Sequence, residues 1–389
     1  MICNKIQVTN FRNAAEGSVE FCEGVNILYG NNAQGKTNLL EAVWLASSAR
    51  SFRATREEQL IRFGEDFAVL SVDFTDTRRQ NITMKYQRGR RHSYEINKNK
   101  VTRLSDFVGR FRCVLFCPEH LTLIKGAPAI RRDFLDAAIS QLRPMYVVAL
   151  EKYEKILKQR NNLLKNAMDD RTAYNATIDQ WNEQLAHEAA ILSKFRQSYV
   201  SQLEYHMKQS FAEMSRCTGR ENEIPTLHYV GSAGLDSYED MNTTKQTYLD
   251  LLKKNAEREI FAGTTLFGAH KDDFEIALGG NSARVYASQG QQRSLALALK
   301  LAEGEIIKKE CGEYPVFLLD DVLSELDSAR RSYLIEEIKN KQVIMTTCEL
   351  DPSLYPTARI IQVENGGYRE RENEENEGER GERGERMGG

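Results

Sequence analysis

Eight consecutive residues, Gly30-Asn31-Asn32-Ala33-Gln34-Gly35-Lys36-Thr37, fit the pattern G-x-x-x-x-G-K-[ST]. Its glycines let backbone N–H groups close around phosphate oxygens, its lysine reaches β and γ phosphates, and its hydroxyl is a ligand for Mg²⁺. An apolar strand over 25–29 precedes it, and an apolar helix from about 36 to 48, with Asn38 in its first turn, follows. Residues 30–38 are therefore a candidate cradle for ATP with Mg²⁺, the alternative being an ordinary glycine turn. A second element is Val316-Phe317-Leu318-Leu319-Asp320-Asp321, an apolar strand ending in two carboxylates. Asp320, with Thr37, suits the metal's water shell, and Asp321 suits orienting or deprotonating an attacking water. A core strand running into an acidic loop has the same letters.

A third element, Ser288-Gln289-Gly290-Gln291, opens a helix expected to run to about 309. A hydroxyl, a glycine that admits close approach and a helix N-terminus make an anion cradle, although a plain helix cap reads the same way. Ser324-Glu325-Leu326-Asp327 follows the carboxylate pair.

These residues need elements that hold them. The first part of the chain reads as strands, at 3–9, 18–21, 25–29, 67–74, 82–87 and 93–96, with Gly89 available for a hairpin turn. From about residue 127 the period becomes helical. Pro128 and Pro144 stand at helix starts, Asp169-Asp170-Arg171-Thr172 interrupts, and Leu192, Phe195, Tyr199, Leu203, Met207, Phe211 and Met214 line one helix face. Two or three antiparallel helices would form a compact arm. After a loop-like stretch over 218–237, strands are expected at 274–278, 316–319, 342–346 and 359–363, with a long helix between the first two. Strand, helix, strand in this order implies parallel crossovers. The expected layout is an α/β lobe whose halves, 1–126 and 256–368, flank a helical arm over 127–255, with a charged tail of low apolar content over 369–389 read as disordered.

The 389 residues are 41% hydrophobic, enough for a sizeable core. The start of the chain lacks the features of a signal peptide, and no apolar run reaches the length of a membrane span. Seven scattered cysteines without a Cys-x-x-Cys pair read as reduced thiols of a cytoplasmic protein, Cys113 and Cys117 as core residues. The net charge of −3 resides in the last 21 residues, which hold eight Glu and five Arg, so the remainder is neutral overall. Within it, residues 78–112 carry eleven Lys or Arg against Glu95 and Asp106 alone. Arg88, Arg90, Arg91, Lys98 and Lys100 fall on the expected hairpin and could contact DNA phosphates, with Tyr86 and Tyr94 available to stack on bases. A solvated hairpin face would look similar.

Ser288–Gln291 resembles the signature loop of ABC-type ATPases, and Ser324–Asp327 resembles their D-loop. Several stretches resemble the RecF family, related to the heads of SMC and Rad50. They are Thr9-Asn10-Phe11-Arg12-Asn13, Gly35 through Ala42, Pro128 through Asp136, Gly268-Ala269-His270-Lys271-Asp272-Asp273, and Leu318 through Asp327. The resemblance covers residues 1 to about 368. It implies an ABC-type P-loop ATPase head, a mixed sheet with parallel core and antiparallel strands, with an inserted helical arm. It further implies an ATP-dependent homodimer that binds single-stranded, gapped or junction DNA, slow hydrolysis stimulated by DNA, and cooperation with RecO and RecR in loading RecA, with a role in the SOS response. In that family the signature loop faces ATP held by the other subunit.

Two departures from the wider ABC pattern stand out. Asp321 occupies the place where transporters and Rad50 usually carry Glu, and no switch histidine follows the strand over 342–346, leaving Thr347 as the candidate γ-phosphate contact; no Q-loop glutamine is identifiable. Arg131 and Arg132 are expected to pair with Asp133 or Asp136, or to meet the partner subunit or DNA. His270, Asp272 and Asp273 read as structural first. An ATP-hydrolysing subunit of a membrane transporter would place its signature about a hundred residues after the phosphate loop, whereas about 250 intervene here. A structural SMC-like chromosome protein would need far longer coiled coils.

Overall fold

The computed structural model describes residues 1–218, 223–350 and 357–370. The tail read as disordered lies, from residue 371 on, outside the described residues. In chain order the strands are β1 (Ile2–Phe11), β2 (Ala14–Glu20), β3 (Val25–Tyr29), β4 (Phe67–Thr75), β5 (Arg79–Gln87), β6 (Ser93–Ile96), β7 (Asn99–Val101), β8 (Cys113–Phe116), β9 (Pro225–Val230), β10 (Asp273–Leu278), β11 (Asn281–Ser282), β12 (Val316–Asp320), β13 (Val343–Thr347), β14 (Arg359–Glu364) and β15 (Gly367–Glu370). The helices are α1 (Lys36–Ser48), α2 (Leu104–Phe107), α3 (Pro128–Ser140), α4 (Pro144–Asn166), α5 (Arg171–Thr218), α6 (Met241–Lys254), α7 (Ala256–Ala262), α8 (Ala283–Tyr286), α9 (Gln289–Cys311) and α10 (Ser328–Ile338).

Three sheets result, in the orders β2-β1-β4-β5-β6-β7, β11-β10-β9 and β15-β14-β3-β13-β12-β8. The first two are antiparallel; in the third, β14, β3, β13, β12 and β8 run parallel and β15 closes the edge antiparallel. Period-two alternation gives this sheet two apolar faces. Leu28, Leu115, Leu318, Ile344 and Ile361 join the core formed with α1 and the first sheet. Ile27, Val114, Phe317, Leu319 and Met345 join the core formed with α3, α4, α5 and α9. Each such side chain contributes roughly 1.5–3 kcal/mol when fully buried, so a one-residue slip would cost both cores at once.

The expected helical interruption falls where α4 gives way to α5. Leu192, Leu203, Met207, Phe211 and Met214 of α5 are buried against the second core. A smaller cluster of Leu164, Ala167, Tyr174, Ile178 and Ile260 closes the far end of the α4–α5 pair. Five strands lie where no strand was expected: the short β7, β11 and β15, β8, which extends the parallel sheet, and β9, within the stretch read as loop. No helix among the described residues is long and apolar enough to cross a membrane.

Candidate functional site

The phosphate loop joins β3 to α1 at the carboxyl end of the parallel sheet. Asn31, Asn32 and Ala33 are exposed, so its concave backbone opens to solvent. Gly30 packs so closely on the Val363 carbonyl that a Cβ would overlap it, and Gly35, at φ 112°, would set a Cβ 2.8 Å from the Asn13 side chain. Neighbouring turns grip the loop. Asn13 Nδ2 donates to the Gln34 carbonyl (3.1 Å) and its Oδ1 accepts from Asn38 Nδ2 (2.8 Å). The β14–β15 turn donates from Gly366 N to the Gln34 carbonyl (2.9 Å) and from Asn365 N to Gln34 Oε1 (2.6 Å). Arg12 makes a two-pronged pair with the fully buried Glu41 of α1. Neither Asn13 nor Asn365 was identifiable as a loop-holding residue from sequence, because both act across long separations.

Lys36, only 7% exposed, donates through Nζ to the Gly30 carbonyl, to the Asn31 carbonyl (3.0 Å) and to Cys348 Sγ (3.1 Å). It forms no ion pair among the described residues. Thr37 Oγ1 donates to Asp320 Oδ1 at 2.8 Å, which brings together residues 283 positions apart. Parallel register sets Asp320 beside Thr346, whose hydroxyl donates to the same Oδ1 (2.8 Å) and accepts from Asp321 N (2.9 Å). Burial raises the Asp320 carboxyl above its ordinary range, while the two hydroxyls pull it down. Asp321 takes a left-handed φ of 51°, a conformation that costs a non-glycine residue energy and is held by the Thr346 bond. Its carboxylate has no hydrogen-bond or ionic partner among the described residues. Hard oxygen donors from Thr37 and Asp320 suit Mg²⁺. Thr347, the expected γ-phosphate contact, instead donates to the Glu349 carbonyl (2.7 Å), and Cys348 is the residue at the loop.

Ser288 caps α9 reciprocally with Gln291: Ser288 Oγ accepts from Gln291 N (3.3 Å), and Ser288 N donates to Gln291 Oε1 (2.7 Å). It is thus a cap, yet the N–H groups of Gln289 and Gly290 in the first turn of α9 are without an acceptor among the described residues, as an anion cradle requires. Gln291 Nε2 reaches Glu223 (2.6 Å), and Arg330 packs beneath Gly290 while bonding Ser294 (2.7 Å) and Asp327. Asp327 caps α10, and Glu325 pairs with Arg293 (3.1 Å).

The family model described as RecF/RecN/SMC N terminal domain matches residues 2–362. The DNA replication and repair protein RecF of Thermoanaerobacter sp. (strain X514) is 40% identical over 347 residues, 89% of this chain and 94% of its own. That of Shouchella clausii (strain KSM-K16) is 38% identical over 382 residues, 96% and 100% of the two chains. This chain belongs to the RecF family. A solved structure of the recombination mediator protein RecF-ATPrS in the RecFOR pathway superposes with a TM-score of 0.88 at 35% identity, covering 95% of this chain and 97% of that one. The corresponding RecF-ATP structure gives 0.86 at 34%, covering 95% and 98%. An Smc head bound to the C-winged helix domain of ScpA, at 16% identity, TM-score 0.55 and coverage of 97% and 100%, shares the fold alone. The fold is therefore the ABC-type P-loop ATPase head of RecF and SMC proteins, with a helical insertion.

Two of the RecF-like stretches meet in space. Arg131 grips both oxygens of Asp273 (2.7 Å each), and Arg132 donates to the Asp272 carbonyl (2.9 Å). The expected pairing with Asp133 or Asp136 is thereby corrected: from the first turn of α3 both guanidiniums reach the start of β10. Asp272, fully buried, accepts from Ser193, Tyr229 and the Ser232 N–H, and Arg196 ties Asp136 to the Ala269 carbonyl. Burial pushes the His270 imidazole down to about 4, and the ring bonds Tyr153 (2.7 Å) and the Thr265 carbonyl (3.1 Å). This RecF motif works as a buried polar joint between helices and sheet.

The basic residues sit on turns, as expected. Arg88, Arg90 and Arg91 surround the β5–β6 turn at Gly89, and Lys98 and Lys100 the β6–β7 turn, where Asn97 and Lys98 both have positive φ. Arg88 Nε donates to the Glu65 carbonyl (2.8 Å), whereas Arg90 and Arg91 are exposed without an ionic partner among the described residues. Tyr86 and Tyr94 cannot stack on bases, being 2% and 8% exposed; they share the inward face with Ile82 and Met84, and Tyr94 packs on Phe107 at 4.4 Å.

Proposed function

We propose that this chain is an ATP-dependent DNA-binding protein of recombinational repair and replication, in which ATP closes two copies on gapped or single-stranded DNA. What carries the reading is the convergence at one strand-end cluster of Lys36, Thr37, Asp320 and Asp321, from opposite ends of the sequence, in a chain of the RecF family. Residues 30–38 would hold the triphosphate of ATP. Thr37 and Asp320 would hold Mg²⁺, which supplies charge neutralisation at the phosphates. The unpartnered Asp321 carboxylate, kept in place through its backbone, is the group to orient the attacking water. Ser288, Gln289, Gly290 and Gln291 would offer the second copy's ATP a hydroxyl and two free N–H groups, making occupancy of one site a contact for both chains.

Lobe halves 1–126 and 256–368 then form the switch and 127–255 the arm, with weak hydrolysis resetting it and DNA speeding that reset. Arg90, Arg91, Lys98 and Lys100, with Arg88 bracing its turn, would meet the DNA backbone. RecO and RecR are the expected protein partners, RecA loading the downstream event and SOS induction its consequence, in the cytoplasm. The test is fluorescence anisotropy of a labelled gapped duplex titrated with protein plus ATP or ADP at fixed salt. Much tighter binding with ATP is expected; equal, weak binding with both nucleotides would overturn the DNA-clamp reading.

A further inference from the structure

We propose that Phe63 is a stacking platform for an unpaired base of the DNA, presented beside the basic turn whose arginines would hold the neighbouring phosphates. The proposal rests on the DNA reading above and adds the aromatic contact that the buried Tyr86 and Tyr94 cannot make. Among the described residues Phe63 is the most exposed large apolar side chain, at 98%. A single exposed apolar side chain is ordinary on a protein surface. What sets this one apart is how it is held and what surrounds it.

Arg62-Phe63-Gly64-Glu65 is a β-turn closed by Glu65 N donating to the Arg62 carbonyl (3.0 Å), with Gly64 at φ 87°, the positive value a type II turn needs at its third position. The turn is pinned on two sides. Arg62 N donates to the Asn10 carbonyl (2.8 Å) at the end of β1. From the other side Arg88 N donates to the Asp66 carbonyl (2.9 Å) and Arg88 Nε to the Glu65 carbonyl (2.8 Å). Phe63 and the β5–β6 turn that carries Arg88, Arg90 and Arg91 are therefore fastened together as one unit. A ring held out on a fixed turn gives up little freedom when a base settles on it.

The second observation is the charge around the ring. Arg56, Arg88, Arg90 and Arg91 have no carboxylate partner among the described residues. Of the nearby acids, Glu57 pairs with His92 (2.7 Å), and Glu65 is taken by Asn10 Nδ2 (3.3 Å) and lies 4.0 Å from Arg62, which leaves Glu58 and Asp66. The surplus is positive, so a phosphate chain fits this surface better than an apolar segment of protein does. An aromatic face among cations suits single-stranded nucleic acid, because every base has a π-face to lay on it. Stacking needs a base whose own face is bare, and the site therefore selects the unpaired nucleotides of a gap over continuous duplex.

The experiment is fluorescence anisotropy of the full chain with Mg²⁺ and the slowly hydrolysed analogue ATPγS on labelled probes: a gapped duplex, the same duplex with abasic sites throughout the gap, and the fully paired duplex. Phe63→Ala is expected to weaken binding to the intact gap by roughly 5–150-fold, the range of one lost base stack, and to leave the abasic and fully paired probes within about twofold. Because no phosphate contact is lost, the slope of log affinity against log salt should not change. Phe63→Trp should keep the parent's affinity, and its added fluorescence should be quenched by the intact gap and not by the abasic one. Phe63→Ala that binds the intact gap as the parent does overturns the proposal, leaves the DNA reading standing and gives the ring to a protein partner instead. Equal losses on all the probes also overturn it, since a ring that acts through the DNA backbone or through the fold does not tell a base from its absence. A parent chain that binds none of the probes removes the DNA reading and this proposal with it.

Discussion

Replacing Thr346 by valine keeps the shape of the side chain and deletes its hydroxyl. That hydroxyl donates to Asp320 Oδ1 at 2.8 Å and accepts from Asp321 N at 2.9 Å. A hydrogen bond to a charged group is worth about 1.5–3 kcal/mol and a neutral one about 0.5–1.5 kcal/mol, so about 2–4.5 kcal/mol of placement is at stake. If half of that is felt only while the terminal phosphate is being transferred, hydrolysis slows by roughly 5–45-fold. Lys36 and Gly30–Gly35 keep their own contacts, so binding of metal-free ATP should stay within about twofold of the parent. The pH profile gives an independent sign. Donation from Thr346 lowers the Asp320 carboxyl against the upward push of burial. Without it the carboxyl rises further, and activity that needs the ionised form is lost at a higher pH as the solution is acidified. The assay is steady-state phosphate release across pH, beside equilibrium binding of nucleotide without Mg²⁺, with Thr346→Ser as the variant that restores the parent behaviour. A valine variant hydrolysing ATP within about twofold of the parent, with an unmoved acid limb, would refute the role given to Thr346.

Arg160 and Glu259 are both fully buried and paired at 2.6 Å, so Arg160→Leu strands a carboxylate and should cost about 3–5 kcal/mol in urea unfolding; a loss under about 1 kcal/mol would contradict the pairing. The His270 imidazole, lowered by burial from 6.5 to about 4, stays neutral in the fold, and its contribution is complete above pH 6.5 and lost as pH falls toward 4. About 2 kcal/mol of it should be gone at pH 5, and an NMR titration placing this ring near 6.5 would overturn the burial argument. Replacing Arg88, Arg90 and Arg91 together by glutamine should weaken DNA binding and flatten the dependence of log affinity on log salt by about 0.7–0.9 per lost phosphate contact; unchanged binding removes this turn from the DNA surface.

The phosphate loop, β3, β12 and both long helical runs were legible because each carries its own local signal, a glycine pattern or a sustained period. β8 was not. Its four residues Cys113–Phe116 are buried on both faces, so they show no alternation and are too few to separate from a piece of helix. β9 does alternate, with Pro225, Leu227 and Tyr229 inward, but proline and histidine inside a six-residue stretch hide it. The error at Tyr86 and Tyr94 was of another kind: period two already placed Tyr86 with Ile82 and Met84, and the attraction of aromatic rings among arginines overrode it. The Thr346 bonds to Asp320 and Asp321 were passed over because they depend on the pairing of β13 with β12, and the Cys348 contact with Lys36 because it depends on the chain's course after the strand. Neither is written in the strand itself.

The helix α5 runs 48 residues without interruption, about 72 Å at 1.5 Å per residue. One end packs on α9, the helix opened by Ser288, and on α10, capped by Asp327, with Tyr333 of α10 bonded to Glu213; the other end carries the cluster around Tyr174 and Ile178. A stiff rod seated on these two helices at one end and paired with α4 at the other moves with α4 as a lever arm. A tilt of about 5° where it meets α9 displaces its far end by roughly 6 Å, far more than any side chain at the nucleotide site would need to shift. A contact too small to notice among phosphates becomes, at the other end of the rod, a displacement the size of a whole residue.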